Sequence, residues 1–184
     1  MGIFEPQFQY FHPFLEEKHY NDLETYVLSH DFKWSWLSHT VSKDHDNHSD
    51  DAFVLGNLIY HDKMKDAFDT IHEVWRPLIE AVEKQFICNI YRMRCNLYTN
   101  QNKKIFTIPH HDIGERGVHV PDRKFDIIIL NFTTCNGGTK IGSLEVMSQR
   151  NGAVFFNNVH KHCGILHTDV QRRVCCNIVI SPKE

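Results

Sequence analysis

A chain of 184 residues, 41% of them hydrophobic, suits one domain over 1–184 that can bury a core without disulfide or metal staples. Its formal charge of −3 and scattered basic residues exclude the positive footprint of a nucleic-acid binder. No apolar run approaches a membrane span, the start at Met1 shows no charged-then-apolar leader, and the six cysteines lack Cys-x-x-Cys spacing, so a soluble, cytoplasmic protein with reduced core thiols is expected.

In chain order, aromatics and charges mix up to Lys18. Asn21 or Asp22 then stands where it can cap a helix near 21–30, whose Leu23, Tyr26, Val27 and Leu28 recur at helical spacing. Residues 32–37 alternate as a short strand. Residues 42–51 are too polar to bury and read as a surface loop, and their His45, Asp46, His48 and Asp50 lack the supporting residues an ordered metal site needs. A second strand is expected over 53–60. From 62 to about 85, Met64, Phe68, Ile71, Val74, Trp75, Leu78, Ile79 and Val82 form the apolar stripe of a helix, and Pro77 predicts a kink or break near Arg76.

Residues 90–98 put Arg92, Arg94, Asn96 and Tyr98 on one face of a strand and Tyr91, Met93, Cys95 and Leu97 on the other. Such a polar face either meets solvent or lines a pocket. After a polar turn at 100–104 comes Pro109-His110-His111-Asp112. In a strand, residues two apart share a face, so His110 and Asp112 aim at one point while His111 turns away. That is two-thirds of a facial triad of two histidines and one carboxylate, which holds iron(II) with three coordination positions open.

Residues 114–123, with Gly114, Gly117 and Pro121, read as a loop beside this site and a candidate substrate lid. Residues 125–132 are the most apolar run and predict a buried strand. Asn136-Gly137-Gly138-Thr139 reads as a turn whose glycines supply positive φ. A buried strand over 153–159 ends at His160 and His162. In the last strand, 173–180, Arg173, Cys175, Asn177 and Val179 would line a pocket, with Val174, Cys176, Ile178 and Ile180 toward the core.

Taken in order, His110-x-Asp112, Gly137-Gly138-Thr139, His162 and Arg173 resemble the iron(II)- and 2-oxoglutarate-dependent dioxygenases, more narrowly their prolyl-4-hydroxylase-like branch. The resemblance covers residues 90–180 or so, and in size the chain is similar to the small oxygenases of tailed phages and marine bacteria, which implies a bacterial cytoplasm or that of a phage's host. It implies a mainly β fold with flanking helices, a double-stranded β-helix or cupin-like jelly roll, with support in 1–88 and the catalytic core in 89–182. It further implies iron(II) on His110, Asp112 and His162, and 2-oxoglutarate with its far carboxylate on Arg173. Tyr98, Asn177 and Asn96 are the other co-substrate candidates, and ascorbate is a candidate auxiliary. No catalytic side chain beyond the metal ligands is expected.

His160, His162 and His167 compete for the distal position, and His162, eleven residues before Arg173, fits the resembled spacing best. Arg173 is preferred to Arg172 because it shares a face with Asn177. Ile129 stands where many such hydroxylases carry a tyrosine, which shifts the holding of the far carboxylate to Arg173, with Arg94 or Tyr98 in support. The implied reaction converts 2-oxoglutarate to succinate and hydroxylates a protein side chain, proline first. The alternatives are a free amino acid, small metabolite or nucleobase as substrate, a zinc or cupin-like enzyme on the same histidines, and a jelly-roll binding module without turnover.

Overall fold

A computed structural model describes residues 8–37, 54–62, 71–113 and 124–183. In chain order its elements are β1 (Phe8–Phe11), α1 (Glu17–Val27), β2 (Ser35–Leu37), β3 (Val54–His61), α2 (Arg76–Phe86), β4 (Cys88–Thr99), β5 (Asp126–Asn131), β6 (Gly138–Ile141), β7 (Leu144–Met147), β8 (Ala153–Asn157), β9 (His162–Ile165) and β10 (Arg172–Pro182). They form a large sheet in the order β1-β8-β5-β10-β4-β3-β2 and a small one in the order β7-β6-β9, with antiparallel pairing. Two facing antiparallel sheets with helices against one of them make the expected jelly roll.

The large sheet is apolar on both faces at its centre, for two different reasons. On its outer face Met93, Cys95, Ile128, Leu130, Val174, Cys176, Ile178 and Ile180 pack against Tyr20, Leu23 and Val27 of α1 and Leu78, Ile79 and Val82 of α2. On its inner face Ile127, Ile129, Val154, Phe156 and Val179 meet Ile141 of the small sheet. β5 therefore contributes to both layers, which is why its stretch of sequence is an unbroken apolar run. Each fully buried aliphatic side chain here is worth about 1.5–3 kcal/mol, so the helices are held by the sheet more than by their own propensity.

Several expectations need correction. α1 begins at Glu17, with Glu16 at the N-cap and no side-chain cap; Asn21 and Asp22 lie inside it. Tertiary contacts set that start, because Arg150 reaches over from the β7–β8 connection to bond Glu17, Asn21 and Glu24. Near Pro77 the chain breaks rather than kinks. A 3₁₀ turn at Glu73–Trp75 precedes α2, and Pro77 sits in that helix's first turn, where a missing N–H leaves no bond unmade.

The strand over 32–37 shrinks to Ser35–Leu37, and β1, β6, β7 and β9, at four residues each, are too short for a side-chain pattern to announce them. Gly137 and Gly138 do not adopt positive φ; Gly142, in the β6–β7 turn, does, at 57°. Instead they permit close backbone packing: a Cβ on Gly138 would lie 2.1 Å from the carbonyl oxygen of Val146, and one on Gly137 2.6 Å from that of Ile165. The loops expected at 42–51 and 114–123, and the first part of the helical stripe at 63–70, lie outside the described residues. All six cysteines are buried and free. Among the described residues no helix is long and apolar enough to cross a membrane.

Candidate active site

β4 and β10 run side by side through the large sheet, pairing Tyr98 with Arg173, Asn96 with Cys175 and Arg94 with Asn177. Period-two geometry sends all six to one face, where they line a cavity between the sheets. Another part of its lining comes from the segment leading to Asp112. Contrary to expectation, that segment is not a regular strand. It touches β9 through isolated bridges, Phe106 with Ile165 and His110 with His162. The His110 amide donates to the His162 carbonyl at 2.9 Å, and the His162 amide returns the bond at 3.0 Å. Residues so paired share a face, and the two imidazole centroids are 4.6 Å apart.

Beyond His110 the backbone bends, and the fully buried Asn158 holds the bend. Its Oδ1 accepts from the Asp112 amide at 3.1 Å and the Ile113 amide at 3.4 Å, while its Nδ2 donates to the Ile113 carbonyl at 2.7 Å. His111 turns away, its Nδ1 lying 2.7 Å from the Asn158 carbonyl. Asp112 thereby joins the two histidines, and ligand atoms of His110, Asp112 and His162 all lie within 4.8 Å of one another.

The carboxylate is held from several sides. Arg92 Nη2 donates to Asp112 Oδ1 at 2.5 Å and Asn177 Nδ2 to Oδ2 at 2.9 Å, with His162 Nε2 at 3.3 Å from Oδ2. Burial alone would raise the Asp112 pKa, but the charges of His162, Arg92 and His110 hold it well below the usual carboxylate range. His110 Nδ1 lies 2.9 Å from the Ile108 carbonyl, which fixes a proton there and leaves Nε2 as the nitrogen free to take a metal. His162 Nδ1 is buried without a hydrogen-bond partner. The rival histidines stay outside the cluster. His167 is fully buried beside Gly137, and burial draws its pKa down; the His160 amide closes a turn onto the Asn157 carbonyl.

At the other end lies Arg173, 1% exposed. Its Nη2 is 3.4 Å from both Asn131 Oδ1 and Thr139 Oγ1, its Nε has no partner, and its guanidinium stands 5.4 Å from the Tyr98 ring centre. No carboxylate pairs with it among the described residues. Arg172 is exposed. Burial keeps the Tyr98 hydroxyl protonated, raising its pKa. Ile129 lines the cavity with Asn96, whose Oδ1 is buried and unpartnered; Arg94, likewise on the wall, has its pKa drawn down by burial. The cavity is partly open to solvent. Sequence reasoning missed Asn158, Asn131 and the role of Arg92. The adjacent asparagines ending an apolar strand were the available signal for the first.

No family model matches the sequence, and no curated protein does. Solved structures match throughout. The viral collagen prolyl hydroxylase vCPH from Paramecium Bursaria Chlorella virus-1, in its 2-oxoglutarate complex, superposes with a TM-score of 0.59 at 9% identity, covering 96% of this chain and 96% of its own. A Pseudomonas putida prolyl-4-hydroxylase gives 0.58 at 10% identity over 97% and 94%. SnoN, a non-heme alpha-ketoglutarate-dependent epimerase from nogalamycin biosynthesis, gives 0.63 at 11% over 96% and 78%. The chain shares the jelly-roll fold of these proteins. At such identities the likeness is one of fold, and the site rests on its own geometry.

Proposed function

We propose that the protein is an iron(II)- and 2-oxoglutarate-dependent oxygenase. One observation carries this reading: a single cavity joins the His110, Asp112 and His162 cluster to a buried guanidinium with no anion beside it among the described residues. The residues fit the two groups. Two imidazoles and a carboxylate on one side of an octahedral ion leave three positions open, which suits iron(II). The unpartnered polar atoms Asn177 Oδ1 and Arg173 Nε lie at the two ends where a metal's waters and a dicarboxylate would supply partners.

Bound iron would supply oxygen activation, coupling oxidation of 2-oxoglutarate to succinate and carbon dioxide with conversion of a substrate C–H to an alcohol. The chain's own residues do the rest. Asp112 stays ionised, and Arg92 and Asn177 fix its two oxygens and so its orientation. Arg173 exchanges two long bonds to neutral groups for shorter charge-assisted bonds to the far carboxylate of 2-oxoglutarate. Tyr98 and Ile129, on the cavity wall, keep water from that end.

The substrate read here is a protein side chain, proline first, supported by the two prolyl hydroxylases that share the fold. SnoN supports the alternative of a small molecule. The test is succinate formation from 2-oxoglutarate, followed by NMR with iron(II) in air. Turnover lost in Asp112→Ala is expected. Tight zinc binding with no turnover would favour the zinc reading, and binding of neither metal nor 2-oxoglutarate would leave a jelly-roll module.

A further inference from the structure

We propose that the primary substrate presents a carboxylate to Arg94, making this a site for carboxylate-bearing substrates; the inference rests on the oxygenase reading above. It begins with the charges lining the cavity, which are three guanidiniums, Arg92, Arg94 and Arg173, against one carboxylate, Asp112. Arg92 is committed to Asp112. Arg173 stands where the far carboxylate of 2-oxoglutarate belongs, and a divalent ion is balanced by Asp112 and the near one. Arg94 is the charge left over. It makes no hydrogen bond or ion pair among the described residues, although it is half-buried, and a guanidinium drawn out of water is costly until an anion joins it.

Its position separates it from the co-substrate. Arg94 lies opposite Asn177, on the rung of the metal cluster, whereas Arg173 lies opposite Tyr98. Four residues along a strand put these rungs about 13 Å apart. The side chain also leans the other way. Its Nε and Nη2 lie 3.1 Å from where a Cβ on Gly56 of β3 would stand, so it spreads over β3, on the side of β4 away from β10. Gly56 is the vacancy that lets it do so. Leu58, 49% exposed and paired with Arg94, extends the same face outward. A substrate entering over β3 would thus meet Arg94 beside the metal end, with its carboxylate apart from that of 2-oxoglutarate.

The test uses acetate as the probe and the Arg94 Nε–H resonance as the readout, in zinc-loaded protein with ¹⁵N-labelled arginine side chains. The signal is assigned by its loss in Arg94→Lys. Calorimetry first establishes whether N-oxalylglycine, an inert 2-oxoglutarate mimic, binds; its failure would sink the oxygenase reading, and the acetate titration is run with and without it. Expected is a saturable shift with acetate while N-oxalylglycine occupies the site, none with acetamide, and at least about ten-fold weaker acetate binding in Gly56→Ala, which crowds the guanidinium. An unmoved signal, an equal response to acetamide, or a response to N-oxalylglycine alone with none to acetate would overturn the proposal. Glycine and the capped peptide Ac-Ala-Glu-Ala-NH₂ then separate a small acid from an acidic side chain, whichever binds tighter naming the source.

Discussion

Replacing Arg173 by methionine should uncouple the stability of the protein from its affinity for 2-oxoglutarate. In the free protein this guanidinium is 1% exposed, with two 3.4 Å bonds to neutral groups and an unpartnered Nε. A buried charge so poorly compensated costs more in desolvation than it recovers, and apolar replacements of buried ionic groups are neutral or stabilising by about 1–4 kcal/mol. For a chain of this size each kcal/mol moves the midpoint by about 2–4 °C, so the free variant should melt at or above the wild-type temperature. The ligand reverses the order. N-oxalylglycine at one hundred times its Kd adds about 2.7 kcal/mol, or about 5–10 °C, to the manganese-loaded wild type. Losing the partner of a buried carboxylate costs about 2–5 kcal/mol, so affinity falls about 30-fold to several-thousand-fold, and at the same concentration of mimic the variant's shift drops to about a third of the wild-type shift or less. Differential scanning calorimetry of both proteins, with and without the mimic, decides it. A variant that is several kcal/mol less stable when free yet keeps its ligand shift would refute the reasoning.

Asn158→Ala removes three hydrogen bonds from the bend carrying Asp112, and should weaken manganese binding about 10- to 100-fold, measured by calorimetry; unchanged affinity would mean that the bend holds itself. His167 should make stability pH-dependent. Its folded pKa lies below the ordinary 6.5 because of burial, so the unfolded chain takes the proton first, and its contribution is intact above about pH 6.5 and lost as pH falls below. His167→Leu should flatten urea-derived stability between about pH 7 and 5, and an unaltered slope would contradict this. The buried thiols, Cys88 among them with its pKa pushed up by burial to about 11, should react with Ellman's reagent only as fast as the protein unfolds. Rapid labelling of the native protein at neutral pH would show otherwise. Gly138→Ala, whose Cβ would meet the Val146 carbonyl oxygen at 2.1 Å, should cost about 3 kcal/mol or more in urea unfolding, and a loss under about 1 kcal/mol would show that β6 and β7 can part freely.

Alternation along β4 and β10 is a local property, and it carried most of the cavity wall into view: Arg94, Asn96, Tyr98, Arg173 and Asn177 lie on the face their spacing assigns. Tyr91 is the exception. The β4–β10 register shifts between Val179 and Ile180, leaving Tyr91 without a partner there, and its ring goes to Phe125 and the inner layer instead of the outer core. What stayed hidden was set by partners distant in the chain. β9 reads His-Cys-Gly-Ile, with no alternation, and exists because its backbone pairs with β6 and with His110. The glycines at 137 and 138 looked like a turn because glycine has two uses, and only the approach of Ile165 and Val146 shows which applies. Asn158 needed the bend it ties before it could be given a role.

The central claim is that one cavity binds a divalent metal and, through it, a 2-oxoglutarate-like dicarboxylate. Calorimetric titration of N-oxalylglycine into the protein, with and without manganese, tests it most directly. One molecule bound per chain, only when manganese is present and not in Asp112→Ala, is the result predicted here; binding indifferent to the metal, or none at all, would contradict it.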